Sequence, residues 1–224
     1  MPDVKFEVMQ MPPKNTNSIL ASFGNDCVIF DAWGRADDWA RFLSDSHLNL
    51  RAIYSTHGHY DHISAAAGLA ERYDAPWHLN HRDLFMIPWG NAALARLGLP
   101  PIPEKHKQPL DLAHGVIEVF PGILMGVIET PGHSAGGVAF HFPGQHVLII
   151  GDTLFQNSVG RYDLPGSDRN ALMNSISRIY NMNFPDDTIV LHGHGADTTI
   201  SVQKAENPYF KNHNEQSGNF PVPF

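Results

Sequence analysis

Thr56-His57-Gly58-His59-Tyr60-Asp61-His62 follows directly on the largely apolar stretch LRAIYS at 50–55 and carries four side chains of metal-ligating type. Imidazole and carboxylate are the usual donors for zinc and for borderline first-row metals. The stretch 50–55 reads as a strand, so the motif begins as a loop at a strand end. In extended chain, alternate residues point to the same side. His57 and His59 can therefore share one metal ion, while Asp61 and His62, at the start of a following helix, reach a second. A lone histidine is more often a surface or satisfied core residue, but that explanation does not extend to this spacing.

Further along the chain, three more candidate ligands occupy the same kind of position. The strand 125–130 runs into Thr130-Pro131-Gly132-His133, the strand 147–150 into Gly151-Asp152-Thr153, and the strand 188–191 into His192-Gly193-His194-Gly195. His133, Asp152 and His194 each stand just past an apolar run, beside a glycine or proline that permits a tight turn. Taken singly, His133 or Asp152 would be a turn residue. Together with the first motif they predict strand ends gathered at one sheet edge around a metal cleft.

Composition fits that picture. With 224 residues, 42% of them hydrophobic, the chain can bury a sizeable core, and one domain over 1–224 is the expectation. A net charge of -8 argues against nucleic acid or an anionic membrane as partner. The single cysteine, Cys27, excludes an intramolecular disulfide and fits a reducing compartment. No signal-like N-terminus and no stretch of membrane-spanning length is present, so a cytoplasmic protein is expected. Histidine is the anomaly: 14 against 15 lysines and arginines.

Alternation predicts strands at 4–9, 18–23 and 27–31, the last two joined by a hairpin turn at Gly24-Asn25-Asp26. Helical spacing covers 36–43, with Asp37 and Asp38 near its start, and an alanine-rich helix is predicted over 62–73. A strand at 76–79 precedes a proline-rich segment, about 80–110, read as an irregular insertion with two short helical pieces. Its Phe85, Met86, Trp89 and Leu94 either cover the cleft as a lid or pack against the body. Strands follow at 116–120, 122–129, 137–142, 146–150 and 187–191. Helices are predicted at 168–180, capped by Ser167 or Asp168, and at 198–205, ahead of a short polar C-terminal tail. Strand runs broken by helices suggest two sheets faced by helices, an α+β class.

In order, the motifs THGHYDH, TPGHSAGG, GDTLF, GRYDLPGSD and HGHGADTTI resemble the glyoxalase II-like branch of the metallo-β-lactamase superfamily, over about 17–209. The resemblance implies a four-layer αββα sandwich with a dinuclear metal site at one edge. It implies that His57, His59 and His133 hold one metal, that Asp61, His62 and His194 hold the other, and that Asp152 bridges them. Two divalent ions are expected, zinc first, with iron and manganese as alternatives. Asp61 and Asp152 are the candidate catalytic carboxylates. Zinc β-lactamases, the more distant relatives in this resemblance, carry cysteine or serine where Asp152 stands. In glyoxalase II a basic residue touches the glutathione carboxylate, and it falls at Arg161. This chain departs from that family at two points: Asp163 replaces a tyrosine, and 30 residues follow His194 where the family adds a helical domain.

The expected function is a metal-dependent hydrolase acting on a small-molecule thioester, hydroxyacyl-glutathione or a relative. Metal-bound water ionises near pH 7, so no nucleophilic serine or cysteine is required. Cys27 is read as a small buried apolar residue. The alternatives are a mononuclear iron persulfide dioxygenase, a lactonase-type hydrolase and, last, a non-enzymatic metal-bound sensor. His47, His78, His81, His106, His114, His141, His146 and His213 are read mostly as surface residues, and His192 as a candidate for orienting His194. Oligomeric state is open between a monomer and a homo-oligomer.

Overall fold

In a computed structural model the structure describes residues 4–11, 16–103 and 107–211. His106, His213 and the polar tail lie outside the described residues. Along the chain run β1 (Lys5–Met11), β2 (Thr16–Phe23), β3 (Asp26–Phe30), α1 (Ala36–Asp45), β4 (Asn49–Tyr54), α2 (Tyr60–Ile63), α3 (Ala66–Tyr73) and β5 (Trp77–Leu79). After a 3-10 turn at His81–Asp83 come α4 (Met86–Arg96), β6 (Leu110–Asp111), β7 (Gly115–Phe120), β8 (Ile123–Glu129), β9 (Val138–Phe142) and β10 (Val147–Gly151). The last elements are α5 (Arg169–Asn181), β11 (Ile189–His192), β12 (Thr198–Thr199), α6 (Ile200–Glu206) and α7 (Pro208–Lys211).

The strands form two six-stranded mixed sheets, ordered β1-β2-β3-β4-β5-β6 and β12-β11-β10-β9-β8-β7. Side chains alternate across a strand, and here that alternation builds three cores. From β3, Val28 and Phe30 enter the central core between the sheets, while Cys27 and Ile29 face the helices α1, α3 and α4. From β10, Val147 and Ile149 enter the central core, while Leu148 and Ile150 pack on α5, α6 and α7. Three apolar layers between four structural ones are the expected αββα sandwich, and Cys27 is fully buried as anticipated.

Most predicted elements stand within a residue or two. The helix expected over 62–73 is instead two, because Ala65 N donates to Ala32 O and Ser64 Oγ bonds both Gly34 N and Gly34 O. Asp61 and His62 lie on the shorter of the two, α2. The segment at 80–110 is also more regular than predicted: α4 is one helix of 11 residues, and its Ile87 and Leu94 belong to the core against the first sheet. Phe85 and Trp89 stay exposed, edge to face with ring centroids 5.6 Å apart. Asp168 caps α5 by accepting from Ala171 N at 2.8 Å. None of the described helices is long and apolar enough to cross a membrane.

Candidate metal centre

β3, β4 and β5 run parallel in one sheet, and β10 and β11 run parallel in the other, so their C-terminal ends come out on common edges. His57 and His59 lie just past β4, Asp61 and His62 on α2, His133 past β8, Asp152 past β10, and His194 past β11. All of these sequence-predicted side chains converge. Three groups could each hold a metal ion, with one donor atom per residue and all donors within 4.8 Å of one another. They are His57/His59/His133, Asp61/His62/His194 and His57/His62/Asp152. Asp152 lies between the first two: Oδ1 is 3.5 Å from His62 Nε2, and Oδ2 is 3.6 Å from His133 Nε2 and 3.3 Å from His194 Nε2.

Backbone and hydroxyl partners decide which ring nitrogens face the centre. His133 Nδ1 donates to the Arg161 carbonyl at 2.8 Å, leaving its Nε2 lone pair 3.0 Å from His59 Nδ1. Thr56 Oγ1 spends its proton on Asp31 Oδ2 at 2.8 Å, so it accepts from His57 Nδ1 at 3.0 Å and leaves His57 Nε2 unprotonated. Asp31 Oδ2 also forms an ion-pair contact with His62 Nδ1 at 3.0 Å, and His62 Nε2 lies on the Asp152 side. A hydrogen bond to the far nitrogen is how a protein fixes the tautomer and aim of a ligating histidine.

The donor set fits a metal ion. His57 Nε2, His62 Nε2 and Asp152 Oδ1 are buried without a hydrogen-bond partner. An unsatisfied buried polar atom costs about 1–3 kcal/mol, more when charged, and three facing one another mark a place built for something else. The charge pattern agrees. Burial opposes a charge on His62, yet Asp152 and Asp31 outweigh it and push its pKa up to about 10. Burial also opposes charge on Asp152, and His62 and His194 outweigh it, holding the carboxyl well below its usual range. His57 is pushed down by burial and by its histidine neighbours. His59 is pushed down to about 4 by burial and by His133, so on this side the neutral imidazole is favoured, the form that ligates a metal.

Arg161 lies at the rim but is not free. Its Nε and Nη2 donate to Asp163 Oδ1 and Oδ2 at 2.9 Å each, and both side chains are exposed. His192 is buried, and its Nδ1 donates to the His194 carbonyl at 3.0 Å, so it shapes the loop rather than the ring.

Sequence reasoning missed four supporting residues. Asp31 is wholly buried at the end of β3, with φ of 53°, a left-handed conformation that aspartate tolerates better than most residues. Its position just after an apolar strand is the signal that flagged Asp152 and could have flagged it too. Thr16 Oγ1 donates to Asp61 Oδ2 at 3.1 Å, and Asn17 Nδ2 donates to the carbonyls of His192 and Gly195. Asp83, on the 3-10 turn, accepts from both histidine-bearing loops.

Comparison with known proteins agrees with this geometry. Residues 11–194 match the family model described as the metallo-beta-lactamase superfamily. The chain is similar to hydroxyacylglutathione hydrolase GloC of Haemophilus influenzae, 32% identical over 194 residues, or 86% of this chain and 91% of that protein. Among solved structures, it is similar to BLEG-1 B3 metallo-beta-lactamase, with TM-score 0.81 and 32% identity over 92% of this chain and 99% of that one. A di-iron-bound form of TTHA1623 gives TM-score 0.79 and 34% identity over 91% and 99%. On motif order, two-sheet architecture and converging donors alike, the chain belongs to the metallo-beta-lactamase superfamily.

Proposed function

We propose that this metal-dependent hydrolase is a dinuclear thioesterase of the glyoxalase II type. The observation that carries the reading is the pairing of two three-donor groups, His57/His59/His133 and Asp61/His62/His194, with Asp152 between them. Similarity to GloC, named a hydroxyacylglutathione hydrolase, supports the thioester class. Two divalent ions held there would polarise a carbonyl oxygen and lower the pKa of a coordinated water from 15.7 to about 7. Zinc suits this donor set, as do iron and manganese, and iron gains support from the di-iron form of TTHA1623.

The chain's own residues do the rest. Asp61 and Asp152 would offset part of the charge of two bound cations and leave the centre net positive, a setting that would favour an oxyanion developing at an attacked carbonyl. Thr16 donates to Asp61 Oδ2, the oxygen that also lies 3.7 Å from His194 Nε2, and so holds that carboxylate on the His194 side of the centre. Thr56, itself bonded to Asp31, keeps His57 in the tautomer whose Nε2 faces inward, and Asp31 pairs with His62 Nδ1 at 3.0 Å. A thiolate leaves as a stable anion, so the reaction needs little help from a general acid. Arg161 would contact a substrate carboxylate only by exchanging its pairing with Asp163, which argues for weak selection of the glutathione moiety.

β-Lactam hydrolysis is a second reading, favoured by the similarity to BLEG-1. One panel separates them: metal-replete protein is given S-lactoylglutathione, other acyl thioesters, a chromogenic cephalosporin, a lactone and glutathione persulfide. Thioester hydrolysis far above the rest is expected. Oxygen uptake with the persulfide, or faster turnover of the lactam or lactone, would replace this reading.

A further inference from the structure

Asp83 is a wholly buried carboxylate that belongs to none of the groups able to hold a metal. It sits on the 3-10 turn after β5, and that turn is anchored. Asn80 Oδ1 accepts from Arg82 N at 3.0 Å, and Asn80 Nδ2 donates to Leu112 O at 2.9 Å. From this base Asp83 Oδ2 accepts from Gly58 N at 2.9 Å and from Ser134 Oγ at 2.7 Å, and Oδ1 accepts from Gly136 N at 2.6 Å. Gly58 lies between His57 and His59, and Ser134 follows His133. The one carboxylate thus joins the two loops that bring the His57/His59/His133 donors together.

Both loops come so close that only glycine fits. A Cβ on Gly58 would lie 2.7 Å from Asp83 Cβ, and a Cβ on Gly136 would lie 2.8 Å from Asp83 Cγ. These contacts explain the glycine inside the THGHYDH motif and the first glycine of the GG pair in TPGHSAGG.

We propose that Asp83 is a positioning residue that sets the spacing of the two histidine-bearing loops, and with it the metal affinity of the His57/His59/His133 group alone. The proposal rests on the metal-centre reading above. The other group is held differently: Thr16 donates to Asp61, and Asn17 braces the loop carrying His194. Asp83 makes no hydrogen bond to either of those loops among the bonds described.

Cobalt(II) is the probe, titrated into chelator-stripped full-length protein and followed by its visible absorption. His133→Ala and His194→Ala assign the two binding steps, since each removes one donor from one group. Asp83→Asn keeps the shape but turns an amide NH2 either toward Gly136 N or toward Gly58 N and Ser134 Oγ. Partners that orient a metal ligand typically contribute 10–100-fold in affinity. Asp83→Asn should weaken the step assigned by His133→Ala by about that factor, with an altered cobalt spectrum, and leave the other step unchanged. Ser134→Ala should give a smaller loss at the same step, and it decides the matter alone if Asp83→Asn does not fold. Both steps unchanged, or both weakened alike alongside a lowered Tm, would make Asp83 a fold residue and overturn the proposal while the metal reading stands. Wild-type protein that binds no cobalt overturns both.

Discussion

Replacing Asp152 by asparagine removes one negative charge from the point where the two donor groups meet. The carboxylate is 8% exposed, so water screens little of the loss. Its Oδ1 faces His62 at 3.5 Å and its Oδ2 faces His133 and His194 at 3.6 and 3.3 Å. An amide has one acceptor oxygen, so it serves one of these faces and turns an NH2 toward the other. Contacts to a charged group contribute roughly 1.5–3 kcal/mol each, and the substitution forfeits one outright and weakens its partner. A total of about 2–4 kcal/mol corresponds to a loss of roughly 30–1000-fold at 1.36 kcal/mol per decade. On the dinuclear reading the loss falls mainly on kcat, because a neutral amide with one acceptor oxygen would hold the metal ions that act on the carbonyl more poorly, while contacts to remote parts of the substrate are untouched. The assay is steady-state thioester hydrolysis beside elemental analysis of the same sample, which should also show reduced metal retention. Near-normal kcat with full metal content would reduce Asp152 to a turn residue and refute the reasoning.

Three further outcomes follow from the geometry. Asp31→Ala removes the acceptor for Thr56 and the ion-pair partner of His62 inside the core; breaking such a buried pair costs about 3–5 kcal/mol, readable in urea unfolding of the metal-free protein, and unchanged stability would contradict it. Asp163→Ala frees the Arg161 guanidinium, so KM for a glutathione thioester should fall several-fold at constant kcat, and Arg161→Ala should raise it; equal KM values in all three proteins would remove Arg161 from the substrate site. Burial raises the Cys27 thiol to about 12, so it stays protonated at pH 8.5 and should react with an aromatic disulfide reagent only after denaturation; rapid reaction in the folded protein would mean the first sheet opens readily.

The histidine site was legible because its signals are local. His57 to His62 lie within one loop and one helical turn, and His133, Asp152 and His194 each follow an apolar strand beside a turn residue. Their grouping around Asp152 came from the family resemblance, since no spacing rule says which strand ends meet. Asp31 and Asp83 were not singled out. Each is one carboxylate whose role depends on loops far away in sequence, with Asp31 bonding Thr56 and Asp83 bonding Gly58, Ser134 and Gly136. The two-residue strands β6 and β12 are too short for alternation to register. The break between α2 and α3 follows from Ala65 N reaching Ala32 O, a tertiary bond that an alanine-rich helical pattern conceals.

The dinuclear centre is the claim on which the rest depends, and metal stoichiometry tests it most directly. Purified protein is stripped with a chelator, reloaded with zinc or iron, freed of excess metal and measured for metal per chain, and a crystal of the loaded form locates the ions by anomalous scattering. Close to two ions per chain are expected, one within reach of His57, His59 and His133 and the other within reach of Asp61, His62 and His194. A reproducible single equivalent, with His62 and His194 free of metal, would contradict it.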